Sequence, residues 1–221
     1  FARLDVDDLM QVEDVTELFR RLEQGPYAEI VRHARRAFEE GRDPFILDAT
    51  LDRAYYEGLV RRAQPLEAEA GKSFRALMAD FIDRINLVWL LRYRFHYRLP
   101  PAQVYYLLVG SRYSLSATRL QELAALDSLE AVLAALPAAW QARLSGVTDI
   151  PGVFTRMEHD AAEQALRVLR SSAPDMARAF AYLILRERDL RAVRAVLRGR
   201  HLGLAGADIR LALQREPVEV M

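Results

Sequence analysis

The chain has 221 residues with 31 basic and 31 acidic side chains, so no net charge draws it to nucleic acid or to an anionic membrane. Hydrophobic residues make up 52% and charged residues 28% of the sequence, a balance that predicts a folded protein and excludes a disordered one. The absence of cysteine excludes disulfides, a thiol nucleophile and sulfur-bound metal, and it suits a cytosolic protein. The longest apolar runs, residues 87–91 and 104–109, are far shorter than the roughly 20 residues that span a bilayer.

In chain order, the hydrophobic pattern predicts helices and no strands. Apolar residues recur three and four positions apart, and no long stretch alternates as a half-buried strand would. Gly25-Pro26 breaks the first helical segment, and Pro100-Pro101 opens the last helix of the central one. The predicted helical segments are residues 9–30, 47–62, 78–110, 123–144, 157–169 and 184–213. We therefore predict an all-α fold.

The second half of the chain resembles the first. A shift of 106 residues places Asp83 on Asp189 and Arg92 on Arg198, and it also places several apolar residues on apolar residues. The sequence therefore predicts two tandem copies of one helical unit, residues 1–110 and 111–221. If the copies share a fold, six matched apolar positions are buried: Leu51, Leu87, Leu91, Met157, Val193 and Leu197.

Few residues have the spacing of a catalytic or metal site. His159 and Glu163 are four apart and share a helix face, but no third ligand accompanies them, so a surface pair is favoured over a metal site. No phosphate-binding glycine loop or nucleophile motif is present, and we predict no catalysis, cofactor or metal. Asp83 and Asn86 could form a polar site, although hydrogen bonding between helices is the favoured interpretation.

Arginines supply the remaining candidate surface. Arg92 and Arg94 are interleaved with aromatic residues, a pattern that could bind nucleic acid, but the neutral net charge argues against it. The shift of 106 residues also places Arg94 on Arg200. An arginine near a helix end can cap the last carbonyl groups, so this repeated arginine pair could arise without any partner. The third possibility is a partner-facing stripe beside the apolar line of the closing helix, formed by Arg191, Arg194 and Arg198.

Three motifs stand in order along the chain: Asp52, Tyr55, Tyr56 and Leu59, then Asp83, Asn86, Leu87 and Arg92, and finally Tyr182-Leu183, Glu187, Asp189, Arg191, Arg198-Gly199 and Leu202-Gly203-Leu204. Their order resembles the C subunit of archaeal and bacterial V-type ATPases, the equivalent of the eukaryotic d subunit. The sequence departs from the family pattern at Ala192, where the family has asparagine, and it offers two helical units where the family usually has three. We expect the two units to correspond to the second and third; either the first was removed, consistent with the start at Phe1, or the chain is a shorter relative.

This resemblance implies a specific non-catalytic role. The family member is part of a funnel-like, pseudo-symmetric helical array on the cytoplasmic face of the cell membrane, peripheral to it. It seats the rotor shaft, made of D- and F-type subunits, on the proteolipid ring for ion-coupled ATP synthesis or hydrolysis. The resemblance implies no nucleic-acid binding. The alternative is a stand-alone helical scaffold or a nucleic-acid-binding module.

Overall fold

The computed structural model describes residues 5–25, 27–41, 43–171 and 173–215, and within these ranges its regular structure is helical, with no strand. The prediction of an all-α fold is confirmed. The helices are α1 (Val6–Leu9), α2 (Val15–Leu22), α3 (Ala28–Gly41), α4 (Pro44–Ala63), a 3-10 turn (Gln64–Leu66), α5 (Glu67–Leu91), a π-helical turn (Arg92–His96), α6 (Pro101–Leu107), α7 (Ala117–Ala124), α8 (Leu129–Ala135), α9 (Ala138–Arg143), α10 (Ile150–Arg170), α11 (Asp175–His201) and α12 (Gly206–Arg215).

Short polar side chains start several of these helices. Asp14, Ser116, Ser128 and Asp149 each precede a helix and accept a hydrogen bond from a backbone N–H of its first turn. These bonds satisfy amide groups that have no partner within the helix, and each contributes about 1 kcal/mol. The predicted break after α2 is confirmed at Gly25, while Pro26 lies outside the described residues.

The chain divides into two compact units, one ending at Val60 and the other beginning at Arg61. In the first unit, the rings of Phe19 and Phe38 meet edge to face with their centroids 5.9 Å apart. This division does not test the predicted repeat of residues 1–110 and 111–221, which stays a prediction.

The core of the second unit lies where α5, α10 and α11 pack together. Leu77 of α5 contacts Ala165 of α10 and Ala181 and Ile184 of α11, and all four are buried. Phe180 adds a ring contact to Phe74 at 5.6 Å and another to Phe81 at 5.8 Å. The small alanines allow the helix axes to approach closely, which fixes α11 against the other two helices.

Burial of the six matched apolar positions is confirmed for only half of them. Leu87, Leu91 and Met157 are fully buried, and Leu51 is half-buried. Val193 and Leu197, in contrast, are 54% and 62% exposed, so their predicted burial is wrong. The reason is that α11 turns Ala177, Ala181, Ile184 and Gly199 inward, and Val193 and Leu197 lie outside this buried side.

Two glycines shape the ends of the core helices. Gly71 breaks the helical geometry of α5 with φ 77° and ψ −179°. In the turn before this break, Glu67 accepts hydrogen bonds from Arg112 at 2.9 Å and from the Tyr113 hydroxyl at 2.7 Å.

The C-terminal end of α11 closes in a turn that contains Gly203. In this turn the Leu204 N–H donates to the Gly199 carbonyl and the Gly203 N–H donates to the Arg200 carbonyl, both at 3.0 Å. This turn directs α12 back along α11.

Candidate partner-binding surface

A single carboxylate joins the three core helices. Glu158 of α10 accepts hydrogen bonds from Arg84 of α5 and from Arg191 of α11, the latter at 3.1 Å, through the same oxygen. Arg84 is buried, while Glu158 and Arg191 are partly exposed. Charge-assisted hydrogen bonds of this kind are about twice as strong as neutral ones, so Glu158 fixes the relative positions of α5, α10 and α11.

The Glu158 cluster, formed by Glu158, Arg84 and Arg191, has more positive than negative charge. Two guanidinium groups share one carboxylate, and the Nε atoms of Arg84 and Arg191 are buried without a hydrogen-bond partner among the described residues. Because both cations depend on Glu158, removing its charge would leave a buried cation uncompensated. Hydrophobic periodicity did not identify this cluster, since Arg84 and Glu158 are 74 residues apart.

The predicted stripe of Arg191, Arg194 and Arg198 is divided by these contacts. Arg191 is half-buried and donates to Glu158, and Arg194 and Arg198 are exposed. The apolar line beside them, Leu190, Val193 and Leu197, is exposed as well. The exposed surface around these residues of α11 is therefore both apolar and basic.

A second charged cluster ties α9 to the same helices. Arg143 donates to Asp80 of α5 at 2.6 Å and to Asp160 of α10 at 2.9 Å, and its guanidinium stacks 4.4 Å from the ring of Trp140. Burial alone would lower the pKa of Arg143, but the two carboxylates outweigh it and raise the pKa. Two independent charged clusters thus brace α10 against α5.

Arg94 caps the C-terminal end of α7. Its guanidinium donates to the carbonyls of Ala124 and Leu126 at 2.8 and 3.1 Å, at the end of α7, and to the carboxylate of Asp127 at 2.8 Å. The capping interpretation is confirmed for this residue. Its match in the proposed repeat, Arg200, is exposed.

Asp83 and Asn86, in the last third of α5, form hydrogen bonds with the loop that follows α6. The Asn86 side chain donates to the Val109 carbonyl at 3.0 Å and accepts from the Val109 N–H at 2.8 Å, while Ser111 donates to Asp83 at 3.2 Å. Both side chains are fully buried, and burial raises the pKa of Asp83 to about 6 although its hydrogen bonds oppose the shift. The predicted hydrogen bonding is confirmed in part, because the partners lie in the loop after α6 and not in another helix, and both residues lie in the last third of α5.

His159 and Glu163 form a surface pair. Their Nε2 and Oε1 atoms are 3.2 Å apart, and Arg167 approaches the other carboxylate oxygen at 3.6 Å. The described residues contain no group of three or more histidines, cysteines or carboxylates that could hold a metal ion. A basic neighbour and two exposed side chains make this an ordinary polar contact on a helix surface.

The fold and this surface define an all-helical protein with charge-braced core helices. None of the helices in the described ranges is long and apolar enough to cross a membrane. The sequence profile of the ATP synthase (C/AC39) subunit family matches residues 1–211, and the chain therefore belongs to that family. The resemblance to the C subunit of V-type and archaeal-type ATPases is thereby confirmed.

One relative illustrates how much of the family this chain spans. The C subunit of the A-type ATP synthase of Methanosphaera stadtmanae is 24% identical over 132 residues, which cover 60% of this chain and 34% of the relative. The chain thus matches about a third of the relative's length. No solved structure matches the chain significantly.

Proposed function

We propose that this chain is a non-catalytic central-stalk linker of a rotary V-type ATPase or ATP synthase. In this role it seats the rotor shaft, of D- and F-type subunits, on the proteolipid ring at the cytoplasmic face of the membrane. Family membership supports the class of complex. The observation that carries the linker role is the Glu158 cluster, because a part that transmits torque needs helices that cannot slide past one another.

The contact with the partner is assigned to the exposed arginines of α11. Arg194 and Arg198 meet acidic surface on the shaft or the ring, and Arg191 holds α11 in place through Glu158. Charges at the rim of an interface mainly set the association rate and its salt dependence. We further propose that residues 1–110 and 111–221 are tandem copies within a funnel-like helical array.

The proposal is tested by assembly with purified shaft subunits and detergent-solubilised proteolipid ring from the same source. The wild-type chain should capture both. The double variant Arg194→Glu, Arg198→Glu should keep its helicity and associate about tenfold more slowly at low salt, with a weaker dependence on salt. Capture of neither component by the wild-type chain would refute the linker role.

A matched control is available on α3. Arg32 and Arg36 are also exposed and four residues apart, so Arg32→Glu with Arg36→Glu makes the same change in net charge on another helix. This control should assemble at the wild-type rate. If it slows assembly as much as the α11 variant does, the effect comes from overall charge and the assignment to α11 is wrong.

The non-catalytic part of the proposal has its own measurement. Isothermal calorimetry of the isolated chain with ATP and magnesium should show no saturable heat, because the sequence has no glycine loop of the phosphate-binding kind. Stoichiometric ATP binding would contradict the role as stated.

A further inference from the structure

The outer side of α11 carries a regular apolar stripe. Met176, Leu183, Leu190 and Leu197 are seven residues apart along a helix of 27 residues, and all four are between 40% and 62% exposed. Residues at this spacing drift only about 20° around a helix per step, so the four stay on one side over about 32 Å. We call these four residues the outer stripe. These residues occupy one position of each heptad, the period at which one helix packs along another.

The outer stripe lies opposite the side that α11 uses for its own fold. The inward side consists of Ala177, Ala181 and Ile184, and near the C-terminus of Gly199, all of which are buried. The four residues of the outer stripe therefore contribute little to the core of the second unit. Large exposed apolar side chains in a regular row are a candidate contact site.

The charges beside the outer stripe indicate the chemistry of its occupant. Arg186, Arg194 and Arg200 are exposed along it, and residues 190–207 include no acidic side chain. The C-terminal half of the stripe is thus apolar in the middle and positive at its edges. Flanking charges of a helix seam select a partner of opposite sign.

We infer that the outer stripe of α11 binds an amphipathic helix of a partner protein, with leucine-like residues facing the stripe and acidic residues facing Arg194 and Arg200. A second copy of this chain fits less well, because its α11 would bring the same excess of arginine to the contact. A bilayer surface also fits less well, since an interfacial helix presents a broad apolar face and this stripe is a single line with arginines on both sides. The inference rests on the proposed function only for the identity of the protein that supplies the helix.

A synthetic helix tests this directly. The probe is a labelled four-heptad peptide with leucine at the seam positions and glutamate at the flanking positions, and the matched control peptide replaces each glutamate with lysine. Fluorescence anisotropy should show saturable binding of the acidic peptide to the purified chain, at least about tenfold tighter than the lysine peptide, which corresponds to about 1.4 kcal/mol. Equal binding of the two peptides, or no binding of the acidic one, would overturn the inference.

Substitutions in the outer stripe supply the second half of the test. Leu183→Glu with Leu197→Glu should weaken binding of the acidic peptide at least about tenfold while the melting temperature stays near that of the wild type, because both side chains are largely exposed. Leu202→Glu is the control, since Leu202 is 66% exposed but lies in the turn after α11. Unchanged affinity in the stripe variant would place the contact on another surface.

Two further measurements test the alternative occupants of the outer stripe, a second copy of the chain and a membrane surface. Sedimentation of the wild-type chain should show a monomer, and a dimer that the stripe variant dissociates would assign the stripe to a second copy. Vesicles containing phosphatidylserine should not compete with the acidic peptide; competition that is lost in the stripe variant would assign the stripe to a membrane surface. Either result overturns the inference.

The proposed function and this inference can fail separately. Capture of shaft and ring without binding of the acidic peptide would leave the linker role and remove the helix seam. Peptide binding without capture of shaft or ring would leave the seam and remove the linker role.

Discussion

Replacing Glu158 by glutamine tests whether the charged cluster between α5, α10 and α11 stabilises the fold. The substitution preserves shape but leaves Arg84, whose side chain is only 7% exposed, without a counter-charge. Breaking a buried pair in this way costs about 3 to 5 kcal/mol, and the partial exposure of Glu158 and Arg191 places the expected loss at the lower end, about 3 kcal/mol. That is a large fraction of the stability of a typical domain.

The assay uses the intrinsic tryptophans of the chain. Its two tryptophans, Trp89 and Trp140, are both buried and both lie in the second compact unit, so their fluorescence during urea unfolding reports on that unit. The free energy of unfolding is obtained by linear extrapolation for the wild type and the variant. Because the fluorescence reports only on the second unit, the measurement does not average over two units that can unfold separately.

Two comparisons make the result interpretable. Glu163→Gln removes an exposed carboxylate from the same helix, and it should cost less than about 1 kcal/mol because surface ion pairs contribute little. Replacing Glu158, Arg84 and Arg191 together by leucine or methionine should restore much of the loss, since no charge is then left buried. A Glu158→Gln variant within about 0.5 kcal/mol of the wild type would refute the reasoning.

Three other predictions concern the second unit. For Asp83, the raised pKa of about 6 means that the folded state keeps a proton that the unfolded state, with the ordinary value of 3.8, has released between these pH values. Stability should therefore fall by about 3 kcal/mol as the pH rises through this window, and Asp83→Asn should lack this component in urea unfolding at pH 4 and 7. Gly199→Ala would place a Cβ 2.7 Å from Ile209 Cγ1, so α12 should loosen by about 1 to 3 kcal/mol, with faster hydrogen exchange of its amides; unchanged exchange would refute this close contact. Leu91→Ala should cost about 2 to 5 kcal/mol and Leu197→Ala less than about 0.5 kcal/mol, since only Leu91 is buried; equal losses would contradict the assigned faces of α11.

The periodicity of apolar residues predicted the helices correctly because it depends only on local spacing. It did not predict which side of α11 is buried. This helix has two apolar sides, one of small residues such as Ala181 and one of large residues such as Leu197, and a hydrophobic pattern favours the large ones. Close packing of three helices selected the small side instead. The error for Val193 and Leu197 therefore follows from tertiary contacts that no local pattern contains.

The charged clusters were beyond prediction for a related reason. Arg143 binds Asp80 across 63 positions, and Glu158 binds Arg191 across 33, so neither pair leaves a local signature. The capping role of Arg94 was easier to predict, because cations generally tend to lie near the C-terminal ends of helices. Even there, only the structure identifies α7 as the helix that it caps. The order of short motifs, in contrast, was enough to predict the family.

The break at Gly71 limits how this position can vary in evolution. Space is not the obstacle, because an added Cβ would lie 3.5 Å from Pro174, an ordinary contact distance. The obstacle is the backbone, since φ 77° with ψ −179° is a region that residues with a side chain avoid. Any substitution would favour a straight helix and draw Glu67 away from Arg112 and Tyr113. Natural variants are thus expected to keep glycine here or to move the break by inserting or deleting residues nearby.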